Sequence, residues 1–196
     1  NPTADIPAHP TQRAATPDTA QSPHQAHEKI RPLRRSSMQL TFSHVDVLVL
    51  NLEEACAYYQ AVLNAKISRT LVWERDGLHV RYAIARMGAE RFMLVQPLAG
   101  NLKELLDTHG DGTIYRHCYS TPDIEVAYDA LVARGVQPED ENGKPLARDQ
   151  LSAPGGNRIL WLPRRFGNFS IELLEQASLE QFIADAFAGA ETGVAR

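Results

Sequence analysis

His44 and Glu172 stand near opposite ends of a duplicated region in this chain of 196 residues. Residues 42–55 resemble residues 115–127 at an offset of 72 residues, and Glu172 lies in the last strand predicted for the second copy. Duplicated units usually pack as a pair around a shared surface, so the two side chains can meet. A carboxylate within an apolar strand is costly unless it is paired, protonated or metal-bound. The pair therefore predicts a site for acid-base or metal chemistry.

The first copy predicts a strand followed by a helix. In residues 42–50, three valines at alternate positions define one face of the strand, and His44 looks away from that face. Asn51 is placed to cap the following helix, and Asn64 to end it in a left-handed turn. Strands are predicted next, over residues 66–73, 78–86 and 91–96.

The second copy predicts the same order of elements. A short linking helix over residues 101–108 precedes it. Its own elements are a strand over 113–121, a helix over 123–134, and strands over 136–140, 157–162 and 169–175. The order βαβββ therefore occurs twice. A last amphipathic helix is predicted over 178–189, with frayed residues after it.

Composition limits the classes of function. The chain is 43% apolar and 22% charged, which is ordinary for a globular protein. A net charge of −4 provides no basic surface for nucleic acid or an anionic membrane, so a small-molecule substrate is expected instead. With two cysteines and no apolar run of roughly 18 residues, a cytoplasmic protein is expected. Residues 1–37 are predicted to be a disordered tail, followed by one domain over 38–177 and a C-terminal helix with a frayed end over 178–196.

Five short sequence words carry a resemblance to a known family: Ser43-His44-Val45, Leu52-Glu53-Glu54-Ala55, Pro122-Asp123-Ile124-Glu125, Gly155-Gly156-Asn157-Arg158 and Ile171-Glu172-Leu173-Leu174-Glu175. In this arrangement they resemble the vicinal oxygen chelate superfamily, which contains glyoxalase I, extradiol dioxygenases and bleomycin resistance proteins. The resemblance implies an α+β fold in which two tandem βαβββ modules, about residues 40–98 and 112–176, form a curled eight-stranded mixed sheet around a cavity. In spacing the chain is most similar to methylmalonyl-CoA epimerase.

The resemblance also implies that a divalent metal is held by the first and last strands of each module. The four ligand positions fall on His44, Met93, Arg116 and Glu172, and a thioether such as that of Met93 is a poor ligand for these ions. His117 stands one place after Arg116. A regular strand directs Arg116 into the cavity, whereas a β-bulge would turn His117 inward. The sequence leaves both arrangements open.

Two functions correspond to these two arrangements. In the first, His44, His117 and Glu172 bind Fe, Mn, Co, Ni or Zn, and the protein is a metal-dependent lyase, isomerase, epimerase or dioxygenase that acts on neighbouring substrate oxygens. In the second, Arg116 occupies the metal position and no cofactor is bound. Arg116 and Glu172 then serve a metal-free binding or resistance protein, or an acid-base catalyst. The enzyme hypothesis is preferred, because packing alone does not easily explain both His44 and Glu172.

Four further residues are expected to line the cavity: His79, Arg81, Met93 and Cys118. A third hypothesis, an assembly partner with a vestigial pocket, would explain the methionine at the second ligand position. A homodimer is expected because paired modules leave open sheet edges that a second copy can cover.

Overall fold

A computed structural model describes residues 38–151, 156–164 and 170–188 of the chain. The predicted N-terminal tail, residues 1–37, and the predicted frayed end, residues 189–196, lie outside the described residues. None of the helices within the described ranges combines the length and the apolar content needed to cross a membrane.

The first strand and helix form where the sequence predicts them. Strand β1 covers Thr41–Leu48 and helix α1 covers Leu52–Leu63. The side chain of Asn51 accepts a hydrogen bond from the backbone N–H of Glu54, which satisfies one of the free donors of the first helical turn. Asn64 ends the helix with a φ of 54°, a left-handed conformation that asparagine tolerates better than most residues.

The strand predicted over residues 66–73 is split into two short strands, β2 (Lys66–Ile67) and β3 (Leu71–Arg75). Between them the Ser68 hydroxyl accepts a hydrogen bond from the backbone N–H of Ile84 at 2.9 Å. The backbone N–H of Arg69 then donates to Ala186, near the C-terminus of the described chain. Regular strand pairing is therefore interrupted over residues 68–70. Strands β4 (Leu78–Met87) and β5 (Glu90–Ala99) complete the first module.

The second module follows helix α2 (Asn101–His109). It contains strand β6 (Thr113–Thr121), helix α3 (Ile124–Val132), strand β7 (Ile159–Leu162) and strand β8 (Ser170–Glu175), and helix α4 (Gln176–Phe187) ends the described chain.

Residues 136–140 do not form the predicted strand. The backbone N–H of Val136 donates to Leu131 of α3, and Pro138 has no N–H to donate to a ladder. Within the described residues, the β-type pairing of this segment is limited to isolated bridges from Glu139 to Pro145 and Trp161. The second module therefore repeats the first incompletely.

All eight strands belong to one mixed sheet in the order β2-β4-β5-β1-β6-β8-β7, with β3 paired to β4. Strand β1 is parallel to β5 and antiparallel to β6, and β6 is parallel to β8. The first strands of the two modules thus lie side by side at the centre of the sheet. The predicted α+β fold with an eight-stranded mixed sheet is confirmed, and the sheet does not close into a barrel.

Different helices cover the two faces of the sheet. On one face, Val45 and Val47 pack with residues of α1, and Leu173 packs with residues of α3. On the other face, residues of α4 join the apolar cluster around Cys118 and Trp161. The rings of Tyr82 and Phe182 stack with their centroids 6.4 Å apart. A cavity lies on this second face, between the sheet and α4.

Candidate functional site

Strand β1 supplies the first two polar residues of the cavity. The valines of β1 face α1, so the alternate residues His44 and Asp46 face the other way. Both are buried, with exposed fractions of 4% and 1%. The hydroxyl oxygen of Ser43 lies 2.8 Å from His44 Nδ1, and His44 Nε2 lies 3.3 Å from Asp46 Oδ1. Contacts on both ring nitrogens hold the imidazole in one orientation.

A β-bulge decides which residues of β6 face the cavity. Asp46 lies opposite Arg116, but Val47 lies opposite Ile114, so β6 contains one extra residue at Tyr115. As a result Tyr115 and Arg116 both line the cavity. The bulge precedes Arg116, so normal alternation resumes after it.

This alternation places His117 on the opposite face of β6 from Arg116. Its register partners are Val45 of β1 and Ile171 of β8. Val45 belongs to the apolar cluster that packs with α1, and Ile171 packs against the cluster that contains residues of α3, so both lie on the sheet face opposite the cavity. Cys118, the next residue, is fully buried and has Glu172 beside it on β8. Of the two arrangements that the sequence leaves open, the structure contains the one with Arg116 in the cavity.

Arg116 joins the two carboxylates of the cavity. Its Nη1 lies 2.9 Å from Glu172 Oε2 and 3.3 Å from Asp46 Oδ2. The Cys118 sulfur lies 3.6 Å from Glu172 Oε2 and 3.7 Å from Asp46 Oδ1. The guanidinium carbon of Arg116 is 4.9 Å from the centroid of the Tyr115 ring, within the range of a cation–π contact. Asp46 of the first module and Arg116, Cys118 and Glu172 of the second thus form one buried network.

The network shifts the pKa values of its two carboxyl groups in opposite directions. Burial raises the pKa of Glu172, and the attraction of Arg116 does not fully reverse that effect. Burial also acts to raise the pKa of Asp46, but the hydrogen bond and charge of His44, together with the charge of Arg116, lower it below its ordinary value. Burial raises the pKa of the Cys118 thiol well above its ordinary value. Of the two, Asp46 therefore favours its anionic form more strongly, and Glu172 is the carboxyl group better suited to exchange a proton.

The cavity has a polar end and apolar walls. Its volume is about 50 Å³, enough for a few water molecules. His44, Asp46, Arg116 and Glu172 form the polar end. Met93, which was expected to line the cavity, does so, and most of the other walls are apolar or aromatic: Leu78, Val80, Tyr82, Val95, Leu102, Ile159, Leu174, Leu179 and Phe182.

His79, Arg81 and Cys118, which were expected in the cavity, are not among its lining residues, and Cys118 is fully buried. Val80 and Tyr82 are the residues of β4 that line it, and alternation directs His79 and Arg81 to the opposite face. There Arg81 forms an ion pair with Glu53 of α1 and donates a hydrogen bond to the Gln96 side chain. Arg81 thus connects the sheet to α1, away from the proposed chemistry.

The structure does not bring together the predicted metal ligands His44, His117 and Glu172, because His117 lies on the far face. The cavity holds the guanidinium of Arg116 there instead, already bound to Glu172 and Asp46. A divalent cation beside it would be repelled and would compete for the same carboxylates. These residues therefore do not fit the predicted metal.

A different set of donors has closer spacing. One ligand atom from each of His44, Asp46 and Cys118 lies within 4.8 Å of the other two. However, the thiol of Cys118 must lose its proton to bind a metal, and burial opposes that loss. Asp46 is also already in contact with His44 and Arg116. This set favours a hydrogen-bonded network over a bound ion.

Sequence reasoning did not select Asp46 as a site residue. The signal was present, because Asp46 falls two positions after His44 and so shares its face of β1. Trp73, Glu141 and Asn157 also line the cavity. No pattern in the sequence identifies these three, since they come from separate parts of the chain.

The sequence profile of the Glyoxalase/Bleomycin resistance protein/Dioxygenase superfamily matches residues 43–153, more than half of the chain. Among curated proteins, none is significantly similar to this chain.

Solved structures of similar fold include two epimerases. Methylmalonyl-CoA epimerase from Mycobacterium tuberculosis is 24% identical with a TM-score of 0.57, and the match covers 68% of this chain and 86% of that one. A variant of the Streptomyces coelicolor epimerase is 20% identical with a TM-score of 0.56, covering 71% and 96%. A variant of 4-hydroxymandelate synthase from Streptomyces coelicolor is 19% identical with a TM-score of 0.54, covering 70% and 49%. At these identities the likeness extends to the fold alone.

Proposed function

Since the chain belongs to the Glyoxalase/Bleomycin resistance protein/Dioxygenase superfamily, we propose that it is a small-molecule enzyme that moves a proton at a carbon next to a carbonyl group. The reaction is an isomerisation or epimerisation, and it uses Arg116 and Glu172 in place of a divalent metal. The observation that carries the proposal is the position of the Arg116 guanidinium, held between Asp46 and Glu172 at the end of a cavity.

Arg116 has the chemistry needed to stabilise a developing enolate oxygen. A guanidinium group carries five N–H donors, and the two hydrogen bonds to Glu172 and Asp46 both use Nη1. The buried Nε has no hydrogen-bond partner within the described residues. A positive donor in a water-poor cavity stabilises an oxyanion more strongly than it would in water. Asp46 and Tyr115 hold the guanidinium in place.

Glu172 is suited to move the proton. As a carboxylate it would accept the proton from the carbon, while the electrons of the C–H bond move to the carbonyl oxygen beside Arg116. Return of the proton from Glu172 to the opposite face of the planar enolate carbon gives the epimer, return to the same face gives back the substrate, and both restore the carboxylate. An efficient acid-base group has a pKa near the working pH, and burial shifts the pKa of Glu172 upward, in that direction. The Cys118 thiol is placed to donate a hydrogen bond to the same carboxylate oxygen.

The epimerases among the similar structures support proton transfer as the reaction class. A metal-dependent enzyme is the second candidate. The spacing of His44, Asp46 and Cys118 supports it, although the contacts of Asp46 and the raised pKa of Cys118 favour a hydrogen-bonded network. The two candidates respond differently to a chelator. The chelator would inactivate a metal-dependent enzyme, whereas the activity of the proposed metal-free enzyme would not change.

Deuterium exchange tests the proposal. A panel of small ketones and acyl thioesters in D₂O is followed by proton NMR, with wild type and the Glu172→Gln variant compared at equal concentration. The variant is expected to lose about 100-fold or more in exchange rate, because the amide cannot accept the proton. Glu175→Gln is the matched control, since Glu175 lies on the same strand but binds Arg158 outside the cavity. Equal rates for wild type and Glu172→Gln would contradict the proposal.

A further inference from the structure

Four polar atoms of the cavity lining have no hydrogen-bond partner within the described residues, and they belong to Trp73, Arg116, Glu141 and Asn157. Arg116 belongs to the reacting groups, and Glu141 Oε1 lies 3.5 Å from Nε of Arg75. The other two atoms are the indole Nε1 of Trp73, on β3, and the side-chain Oδ1 of Asn157, just before β7. Both atoms are buried, and Asn157 as a whole is 9% exposed. Buried polar atoms are usually paired, so an exception in a ligand cavity calls for a functional explanation.

We propose that Trp73 and Asn157 form a recognition subsite for a hydroxyl group on an uncharged carbonyl substrate. The inference rests on the proposed function for the identity of the reacting cavity, and it adds the substrate class. The residues that carry it take no part in the proton transfer.

The two atoms are chemically complementary to a hydroxyl group. The indole N–H of Trp73 can only donate a hydrogen bond, whereas the Asn157 oxygen accepts one. A hydroxyl group accepts and donates at once, so it offers a partner of the right kind to each of the two atoms. A substrate without this group would leave both atoms buried and unpaired, and sites of this kind reject such analogues strongly.

The charge of the lining explains why the substrate is uncharged. Three carboxyl groups line the cavity, from Asp46, Glu141 and Glu172, against the single guanidinium of Arg116. The Glu141 side chain is 5% exposed, and its Oε1 lies 3.5 Å from Nε of Arg75, which is outside the lining. Within the described residues the lining therefore carries no excess of positive charge. An anionic substrate would meet repulsion, whereas a neutral one would not.

The volume of about 50 Å³ restricts the part of the substrate that enters to a few heavy atoms. Three four-carbon ketones fit this limit and differ at one position only. They are 4-hydroxy-2-butanone, which carries a hydroxyl group, 2-butanone, which lacks it, and acetoacetate, which carries a carboxylate instead.

Ligand-observed NMR titration of wild type with these three ketones tests the subsite. We expect 4-hydroxy-2-butanone to bind about tenfold more tightly than 2-butanone, and acetoacetate to bind most weakly. Trp73→Phe and Asn157→Leu should each weaken 4-hydroxy-2-butanone by about three- to tenfold and leave 2-butanone within about twofold, because each variant removes one hydrogen bond. The unchanged 2-butanone affinity shows that the cavity still folds in each variant.

Equal affinity of wild type for 4-hydroxy-2-butanone and 2-butanone would overturn the inference, as would tightest binding of acetoacetate or no measurable binding of any of the three. Binding is measured without turnover, so the result is separate from the test of proton transfer. Selective binding without deuterium exchange would retain the subsite and contradict the proposed reaction.

Discussion

Replacement of Arg116 by methionine should destabilise the fold strongly. Methionine keeps much of the length of the side chain but leaves Asp46 and Glu172 buried without their cation. Their exposed fractions of 1% and 5% leave little room for water to replace the guanidinium. Removal of one member of a buried ion pair costs roughly 3–5 kcal/mol of unfolding free energy. We expect Arg116→Met to lose about that amount near neutral pH.

The loss should depend on pH in a defined direction. Arg116 lowers the pKa of both Asp46 and Glu172, so its removal raises both pKa values in the folded state. The folded variant then holds more protons than folded wild type, while the unfolded states are alike at these carboxyl groups. Stability falls with rising pH wherever the folded state binds more protons. The stability difference from wild type should therefore be smallest near about pH 5 and largest near about pH 8.

Urea unfolding followed by circular dichroism measures this effect at both pH values. The matched control is Arg81→Met, the same substitution at an ion pair with Glu53 on the other face of the sheet. That pair is solvent-exposed and should contribute only a small part of the loss, with little dependence on pH. If Arg116→Met is as stable as Arg81→Met at pH 8, the buried carboxylates do not depend on Arg116 and the reasoning fails.

Two further predictions concern pH and assembly. The negative charge of Asp46 raises the pKa of Glu172, so Asp46→Asn should move the inflection of the exchange rate to lower pH. Deuterium exchange measured across the acidic range tests this, and a shift to higher pH would contradict it. The chain should form a homodimer, because β2 and β7 end the sheet order and leave edges that a second copy can cover. Light scattering should give a mass of about twice the 21.8 kDa of one chain, and a monomeric mass at all concentrations would exclude the dimer.

Much of the fold could be predicted because local signals agree with tertiary structure. The alternating valines of β1 and the asparagine caps of α1 each favour the conformation that packing also requires. The superfamily predicted from the sequence words is confirmed by the profile match. The strand predicted over residues 136–140 fails for a local reason, since Pro138 cannot donate to a ladder and Val136 bonds back to α3.

The site could be predicted only in part. The repeat places His44 and Glu172 near one another, and the structure has both in the lining of one cavity. Alternation along β4 shows that His79 and Arg81 share a face, but it does not show which face is the cavity, since polar residues occur on both. The bulge at Tyr115 depends on the pairing of β1 with β6, which a strand pattern does not encode. The bulge lies before Arg116, so regular alternation leaves Arg116 facing the cavity and His117 on the opposite face.

The metal content of the protein tests the central claim, that Arg116 occupies the place of a metal ion. Wild type and Arg116→His are each loaded with Zn²⁺ or Ni²⁺, dialysed and measured by elemental analysis. Wild type should retain far less than one ion per chain. Arg116→His removes the competing cation and adds an imidazole beside His44 and Glu172, so it should retain about one ion per chain. Stoichiometric metal in wild type, lost on His44→Ala, would contradict the account.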